Sequence, residues 1–597
     1  GSTDNANFST PPDGTSGRAQ MYRFAGPTID RDGGLDAEIL FHELTHGTSN
    51  RLIGNGAGLA WDIGGGMGEG WSDFYALSLL NNTNADDPNG SYASGAYATY
   101  KLGGNPFLDN YVYGIRRFPY STNNSINPMT WADVDQWTNN LSGGISPSPF
   151  SFNLNGALEV HNVGEIWALT LWEVRSRIIA ANAGNVPTGN QIALQIVTDA
   201  MKLTPAQPSF VQARDALIAA DCASNACANE ESVWNGFADR GLGYGAKAPN
   251  VASFAPSAGH MGVVESFQAP NLDLNTIAIN DTNGNNSGFV DPNEPVTVQV
   301  NLKNPWLNAS KSATGITATI SSSTPGVSIL APSTSYPNIA PNSNAGANGS
   351  ALQIKAPQGA ACGSRMNFTL TISSSLGVVA RDFSIRLGQP SGTQTPVTYT
   401  RGSLGLAIQD DRPNGTKDSI NIVDDYEIAD LDVRIDSMTH TFDGDLTFGV
   451  RGPSGYGTDV LSLIGVTLTG GGTGDGFVNT VFDDESTNNV LTEPVGNAPY
   501  TKNFQPVFNS PSWATFSLVQ APPEATPQLS NFDATSTQGI WTAIVADQAP
   551  ADTGTWDAWS LIITPRAFTC TTFTDSVTVS GLVREVKGAP IVGATVS

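Results

Sequence analysis

Apolar residues in the first part of the chain recur at the three-to-four-residue spacing of helices. The segments that follow this spacing are 37–52, 69–80, 161–182, 190–203 and 210–220. Side chains at this period cover one face of a helix, which can then pack on a core. The region up to about residue 250 is therefore predicted to be mainly α-helical.

After about residue 255 the apolar residues alternate with polar ones instead. The alternating runs are 296–302, 368–372, 383–387, 431–435, 446–450 and 559–563. Short runs of this period, separated by Gly, Pro and Asn turns, are typical of antiparallel β sandwiches. The predicted fold class is multidomain: a mainly α-helical part followed by all-β sandwich modules.

Composition places one boundary between these modules. The Gly- and Pro-containing stretch 388–403 is expected to be a linker into another module. The last stretch of the chain starts a further strand–turn–strand unit, which breaks off at residue 597.

The net charge of −26 argues against several classes of binding partner. A nucleic-acid-binding surface needs clustered Lys and Arg, so neither nucleic acid nor an anionic membrane is an expected partner. No apolar run approaches the roughly 18 residues that a membrane span needs. The charge itself is explained by solubility.

The chain has four cysteines. Cys222 and Cys227 are close enough in sequence for a local disulfide, and such a bridge fits an oxidising, extracellular compartment. Cys362 and Cys570 either pair or stay free.

Two histidines four residues apart stand out, because the chain has only five histidines. His42 and His46 lie in "FHELTHGTSNRL", residues 41–52, and on a helix both imidazoles can reach one ion. Glu43 lies about 100° round the helix, close enough to hold a water bound to that ion. This is the H-E-x-x-H arrangement of zinc peptidases, in which the glutamate is the general base.

A catalytic zinc usually has three protein ligands, so a third is expected downstream. Glu69, in "GGGMGEGWSDFYALSLL", lies 23 residues beyond His46, which leaves room for a second helix. Asp73 shares the helix face of Glu69 and would orient a histidine through its other ring nitrogen. The glycines around Met67 would let this segment approach the first helix. A salt-bridged helix pair without metal is the alternative.

These motifs resemble those of the fungalysin family of secreted zinc metallopeptidases, which are relatives of thermolysin. The resemblance is carried by "FHELTHGTSNRL" and "GGGMGEGWSDF" and covers roughly residues 1–250. It implies a thermolysin-like catalytic domain at 1–255 that acts on proteins or peptides. It also implies that His42, His46 and Glu69 bind one catalytic Zn²⁺ and that Glu43 is the general base.

His161, in "EVHNVGEIWALTLWEV", resembles a histidine with which the family stabilises the tetrahedral oxyanion. A developing oxyanion needs a donor opposite the base. Thermolysin orients this histidine with an upstream aspartate, whereas "NLNGALEVH" offers only Glu159. Arg116 and Arg117, in "YGIRRFPYST", are candidates to bind a substrate carbonyl by a bidentate fork, or else are solvated surface arginines.

The β modules carry resemblances of their own. Residues 395–566 resemble the P domain (Homo B) that follows proprotein convertases, which implies a jelly-roll-like sandwich. Residues 262–388 are similar to an immunoglobulin-like module, and 572–597 to the start of a carboxypeptidase regulatory-like domain. Oxygen donors close together in the second of these could hold Ca²⁺, or could form a plain Asn-Gly turn with solvated acids; they are Asp281, Asn283, Asn285, Asp291 and Glu294.

Asn5 and Ala6, in "NANF", resemble the edge strand with which thermolysin-like enzymes bind the substrate backbone. A disordered terminus is the alternative. Few residues precede this strand, so we expect the N-terminal β subdomain to be largely missing. The missing part, or a propeptide, would then be a partner of this chain.

The sequence therefore predicts a secreted, zinc-dependent endopeptidase. Two alternatives stay open. One is a zinc aminopeptidase on the same metal core, which would need an acidic residue to hold the free amine of its substrate. The other is an adhesion or binding protein with a vestigial peptidase domain.

Overall fold

The computed structural model describes most of the chain. The described residues are 3–25, 29–56, 58–59, 62–100, 110–134, 159–248, 263–411, 415–455, 457–462, 475–508, 529–547, 549–571 and 573–574. The boundary predicted at 255–262 lies outside them, and so does nearly all of the predicted unit 572–597.

Short strands precede the helices of the N-terminal region. The strands are β1 (Ala6–Ser9), β2 (Arg18–Met21), β3 (Arg23–Phe24) and β4 (Arg31–Asp32), paired as the hairpins β1–β2 and β3–β4. The helices are α1 (Ala37–Leu52), α2 (Asp62–Leu80), α3 (Asn110–Tyr113), α4 (Val160–Ala181), α5 (Val186–Leu203), α6 (Phe210–Asn225) and α7 (Glu230–Asp239). The mainly helical prediction for this region is confirmed.

Polar side chains begin these helices by accepting the first free backbone N–H groups. Asp36 caps α1 by accepting from Glu38 and Ile39, and Ser209 forms a capping box with Gln212 at the start of α6. The longest of the helices, α4, is buried over most of its length and is the centre of the core.

Glycines let α2 and α4 cross closely. A Cβ atom on Gly66 would lie 2.4 Å from Val163, and one on Gly164 would lie 2.6 Å from the Cβ of Glu69. These contacts seat α2 against α4, and a Cβ atom on Gly68 would lie 4.0 Å from Nδ1 of His46 on α1, so the glycines near Met67 serve the approach to both helices. The crossing fixes where Glu69 stands.

Residues 273–386 form two antiparallel sheets. Their strands are β5 (Asp273–Asn280), β6 (Pro295–Asn304), β7 (Thr317–Ser322), β8 (Ser328–Ala331), β9 (Ser333–Ser335), β10 (Ser343–Gly346), β11 (Leu352–Lys355), β12 (Arg365–Ser374) and β13 (Gly377–Arg386). One sheet has the order β10-β6-β11-β8 with β5 on β6, and the other has the order β13-β12-β7-β9. The alternating apolar residues of β6 and β12 point into one shared core.

The last described region contains two further sheets around a second β core. Its strands are β14 (Gln389–Thr393), β15 (Val397–Arg401), β16 (Leu406–Ile408), β17 (Thr416–Ile422), β18 (Ile428–His440), β19 (Leu446–Arg451), β20 (Gly457–Ser462), β21 (Phe477–Phe482), β22 (Asn503–Phe504), β23 (Val507–Phe508), β24 (Gly539–Asp547) and β25 (Gly554–Thr569). One sheet has the order β14-β25-β18-β21-β22, with β15 and β16 also on β25, and the other has the order β17-β24-β19-β20-β23.

The segment predicted as a linker, 388–403, is largely strand. Both β14 and β15 pair with the long strand β25, from Gln389 opposite Thr569 to Arg401 opposite Trp559. Its small polar residues are types that are common in turns, but their backbone groups form hydrogen bonds with the edge of the sheet. The assignment of this Gly- and Pro-containing stretch to a free connection is therefore wrong.

The regions touch one another through specific contacts. Glu230, buried at the start of α7, accepts hydrogen bonds from the backbone of Leu307 at 2.9 Å and of Asn308 at 2.7 Å. Trp306 from the first sandwich packs in the core of the helical region. No helix among the described residues has the length and hydropathy of a membrane span.

All four cysteines are bonded in pairs. Cys222 is joined to Cys227 near the end of α6, with 3.8 Å between their Cα atoms. Cys362 is joined to Cys570, which links the first sandwich to the end of β25. The sequence alone leaves this second pairing open.

Candidate active site

The two histidines of α1 turn their Nε2 atoms toward each other. His42 and His46 are one helical turn apart, and their Nε2 atoms lie 3.1 Å from one another. His42 is buried at 8% exposure, and burial lowers the pKa of His46 to about 4. A neutral imidazole is the form that ligates a metal ion.

Glu69 reaches the same point from α2. Its Oε2 lies 3.1 Å from His42 Nε2, and its Oε1 lies 3.5 Å from His46 Nε2. Among the described residues, His42, His46 and Glu69 form the group of His, Cys, Asp or Glu side chains whose ligand atoms all lie within 4.8 Å of one another. Burial opposes ionisation of Glu69, yet the imidazoles of His161 and His46 hold its pKa well below the usual range.

Asp73 holds His42 from behind. The Nδ1 atom of His42 lies 2.7 Å from Asp73 Oδ1, so this nitrogen donates to the carboxylate and leaves Nε2 facing Glu69. Burial opposes the charge of Asp73, but Arg116 and His42 hold its pKa well below the usual value. The carboxylate is thus ionised and can orient the ligand histidine.

Three further side chains fix this carboxylate. Arg116 donates Nε to Asp73 Oδ2 at 2.7 Å and Nη2 to Oδ1 at 3.0 Å, Tyr120 donates its hydroxyl to Oδ2 at 2.5 Å, and Ser94 donates to Oδ1 at 3.2 Å. Arg116 is 3% exposed, so it is not a surface arginine. Its fork binds Asp73, which corrects the prediction that the fork is free for a substrate carbonyl.

Arg117 binds a different helix. Its backbone and Nε bind the buried Glu165 at 2.8 Å each, and its Nη2 donates to the carbonyl of Asn162. The two adjacent arginines therefore pin the segment before residue 120 to α2 and to α4.

Glu43 lies on α1 beside the two histidines and lines the same cleft. It is 6% exposed, and burial raises its pKa to about 7. A carboxylate whose pKa lies near neutrality can accept and return a proton at ordinary pH.

His161 stands on the other side of the cleft, in the first turn of α4. Its Nε2 lies 3.5 Å from Glu69 Oε2, and its Nδ1 lies 2.7 Å from Glu159 Oε1. The other carboxylate oxygen of Glu159 accepts from the backbone of His161 and Asn162, so this residue is also the N-cap of α4. Glu159 thus has the place that the sequence suggests for it.

The cleft itself has a volume of about 310 Å³. Asn5 and Ala6 lie on its wall, with β1 paired to β2 from Ala6 opposite Met21 to Ser9 opposite Arg18. The N-terminal segment is therefore a strand rather than a disordered tail. Apolar side chains of the lining include Phe8, Phe24, Ile39 and Ile115.

The acidic loop in the first sandwich is built differently. Glu294 accepts hydrogen bonds from the backbone N–H groups of Asn285 and Asp291, and Asp281 accepts from that of Gly288, each at 2.8 Å. The side chain of Asn285 donates to Asp291. Asp281, Asn285, Asp291 and Glu294 thus all take part in hydrogen bonds, and Asp291 also accepts one from the backbone of Thr571 at 2.9 Å, so calcium binding has no support in this arrangement.

Sequence reasoning missed Tyr120 and Ser94 as partners of Asp73. Both lie in irregular segments between helices, where no period predicts which side chains turn inward. The adjacent basic and aromatic residues of "RRFPY" indicate that this segment makes contacts, but they do not predict Asp73 as the partner.

Comparisons with known proteins relate the N-terminal region to metallopeptidases. Residues 1–246 match the family model described as fungalysin metallopeptidase (M36). Extracellular metalloproteinase 3 of Arthroderma otae is 42% identical over 259 residues, which cover 41% of this chain and 36% of that protein. Extracellular metalloproteinase 3 of Trichophyton soudanense is 40% identical over 259 residues, covering 41% of this chain and 58% of that protein.

The chain thus spans between 36% and 58% of the length of these curated relatives. Among solved structures, a serine protease of Aeromonas sobria in complex with its chaperone aligns at a TM-score of 0.18 and 15% identity. It covers 34% of this chain and 36% of that one. So low a TM-score carries no argument.

Proposed function

Residues 1–246 belong to the fungalysin metallopeptidase family (M36), and on that premise we propose that this chain is a secreted, zinc-dependent endopeptidase. The observation that carries the proposal is the convergence of His42, His46 and Glu69 in a cleft that also holds Glu43 and His161. The names of the relatives and the two disulfides support secretion.

The donor set fits zinc. Two imidazoles and one carboxylate are the ligands of a catalytic zinc that keeps one position open. The buried Oε2 of Glu69 accepts no hydrogen bond, although His42 Nε2 is 3.1 Å away. Zinc, when bound, supplies a Lewis acid that polarises the scissile carbonyl and lowers the pKa of a water.

Glu43 is proposed as the group that moves the proton. Its carboxylate takes a proton from the attacking water, which adds to the peptide carbonyl, and then delivers that proton to the nitrogen of the leaving amine. Its pKa of about 7 suits both directions of transfer. Its position on the same helix as two of the proposed ligands keeps it beside the reacting atoms.

His161 is proposed as the donor to the carbonyl oxygen as negative charge develops there. Burial lowers its pKa, but the carboxylates of Glu69 and Glu159 outweigh burial and raise it. The imidazole can then hold one proton on Nδ1, toward Glu159, and a second on Nε2, toward the cleft.

Strand β1 is proposed as the wall that receives the substrate backbone. Its pairing partner within the described residues is β2, so its second edge is open for an extended peptide. Pairing along a strand fits a peptide that continues on both sides of the cleaved bond, which favours an endopeptidase over an aminopeptidase.

The β regions have proposed identities as well. We retain an immunoglobulin-like module for 262–388 and a P domain for 395–566. Each region has two sheets that share one core, as expected for such sandwiches.

The test compares the wild-type protein with Glu43→Gln on a casein-like protein and on short substrates with a free amino terminus. We expect the wild type to cut the protein internally, and the variant to retain zinc but to be slower by about 10²–10⁴-fold, the usual size of general-base catalysis. Similar rates in both would reject the mechanism. Release of amino-terminal residues alone would favour the aminopeptidase, and binding without cleavage by zinc-loaded wild type would favour the vestigial alternative.

A further inference from the structure

Phe8, in the middle of β1, is enclosed between two glycines. A Cβ atom on Gly47 of α1 would lie 2.5 Å from Cε1 of the Phe8 ring, and a Cβ atom on Gly17 would lie 2.5 Å from its Cζ. Such distances are far inside van der Waals contact. The ring therefore occupies space that any other residue at either position would need.

The ring cannot yield by itself to an added methyl group on α1. Turning away from Gly47 would bring it onto Gly17, which belongs to the same hairpin segment as β1 and β2. A methyl group on α1 must therefore move the hairpin rather than the ring alone, since packed side chains transmit such strain.

The hairpin is attached to α1 just beyond this contact. Asn50 donates from Nδ2 to the hydroxyl of Thr10 at 3.1 Å, and Arg51 approaches Asp13 at 3.4 Å. Together with Phe8 on Gly47, these bonds place β1 along the helix that carries His42 and His46. Gly47 directly follows His46, so the contact lies next to the floor of the cleft.

We propose that Phe8 and Gly47 are positioning residues that set the distance between strand β1 and the metal-ligand helix, and so the width of the substrate cleft. The inference rests on the proposed function and deepens it. Gly47 is a poor helix former inside a helix, and its absence of a side chain is what lets the strand lie close enough to pair with a substrate.

The test measures binding of an extended, fluorescently labelled peptide by fluorescence polarisation. The zinc-loaded chain carries Glu43→Gln, so that cleavage during the measurement is negligible. Adding Gly47→Ala is expected to raise Kd about tenfold, the cost of one or two weakened backbone hydrogen bonds. In the active protein KM should rise by a similar factor with kcat nearly unchanged, because strand pairing is equal in ground and transition states.

Phe8→Leu separates positioning from general damage. Alone it should raise Kd by about threefold, since a smaller side chain fills the space less well, but the double variant should be no weaker than Phe8→Leu alone. If the factors by which the two single substitutions raise Kd multiply in the double variant, the two positions act independently, and the proposal is overturned. Thr48→Ala, on the exposed side of the same helix, is the matched control and should leave Kd unchanged.

A second variant covers the case in which Gly47→Ala does not fold. Gly17→Ala lies on the exposed hairpin rather than on α1 itself, and should raise Kd through the same ring. An unchanged Kd in both glycine variants would refute the inference. The variants could change Kd as expected while the zinc-loaded wild type cleaves no substrate. In that case the proposed function fails but the positioning role stands.

Discussion

Two clusters of possible metal ligands in this chain differ in what their oxygen and nitrogen atoms face. In the helical region, His42, His46 and Glu69 turn their free atoms toward one another, and Glu69 Oε2 is buried without a hydrogen bond. In the first sandwich, Glu294 uses one carboxylate oxygen for each of two backbone N–H groups. The first cluster has unused ligand atoms, whereas the second has none on that glutamate.

The difference shows why oxygen donors close in sequence do not make a site. A short loop rich in Asp, Asn and Gly can satisfy its own backbone through side-chain oxygens, as Asx turns do. A metal site requires the opposite, namely ligands whose outer atoms are oriented by other groups while the inner atoms are left free. Asp73 behind His42 is such an orienting group.

The largest expected effect comes from removing a ligand. His46→Ala should reduce zinc from about one ion per chain to well below that and abolish peptide hydrolysis, since two ligands hold zinc weakly. Metal analysis after gel filtration and initial rates on a protein substrate measure both. Glu294→Gln is the matched control from the other cluster and should keep full zinc and activity. Normal zinc content in His46→Ala would remove this residue from the ligand set.

The next largest effect is expected for Asp73→Ala, which should lower the affinity for zinc by about 10–100-fold. Loss of the carboxylate frees His42 to rotate and leaves the buried Arg116 without its partner. Competition with a chelator measures the affinity. Tyr120→Phe removes one of the hydrogen bonds to Asp73 and should cost less; an equal or larger loss would mean that Asp73 is not the main support of His42.

Local periodicity is enough to predict one half of the candidate site. The i, i+4 spacing of His42 with His46, and of Glu69 with Asp73, follows from helix geometry, so the amino-acid sequence alone places these residues on two helix faces. In the folded chain those faces meet. The position of Glu69 depends on the crossing of α2 on α4 at Gly66 and Gly164, which cannot be read from either segment by itself.

The other half depends on chain segments that follow no period. Arg116, Tyr120 and Ser94 meet Asp73 from irregular stretches, and burial decides that Arg116 serves the carboxylate rather than substrate or solvent. The same limit explains the wrongly assigned linker, because Gln389–Thr393 and Val397–Arg401 become strands only where β25 offers them an edge. Tertiary context overrides local preference at such places.

A third prediction concerns the stability of the sandwich. Glu294→Gln removes a carboxylate oxygen that accepts one of two buried backbone N–H groups and should lower the free energy of unfolding by about 1–3 kcal/mol. Calorimetry of the full chain, first with a calcium chelator and then with excess Ca²⁺, measures it. The loss should be the same in both; a loss that appears only with Ca²⁺ would show that the loop is a calcium site after all.

The smallest expected effect is the pH dependence of that loss, and its sign separates the two kinds of cluster. Burial raises the pKa of Glu294, even though its two backbone hydrogen bonds oppose the shift. The folded chain therefore retains this proton to higher pH than the unfolded chain does. Stability falls with rising pH wherever the folded state binds more protons, so the contribution of Glu294 is fully present below the unfolded pKa, near 4.5, and is lost as pH rises through the folded value.

The wild type should therefore have a smaller excess in free energy of unfolding over Glu294→Gln as pH rises from the unfolded pKa through the raised folded pKa. Both free energies are measured at constant ionic strength. A bound Ca²⁺ would reverse the sign, because a cation lowers the pKa of the carboxylates that hold it and makes the folded state gain stability as pH rises. A gap between wild type and variant that widens with pH would therefore move this loop from the hydrogen-bonded kind of cluster to the metal-binding kind.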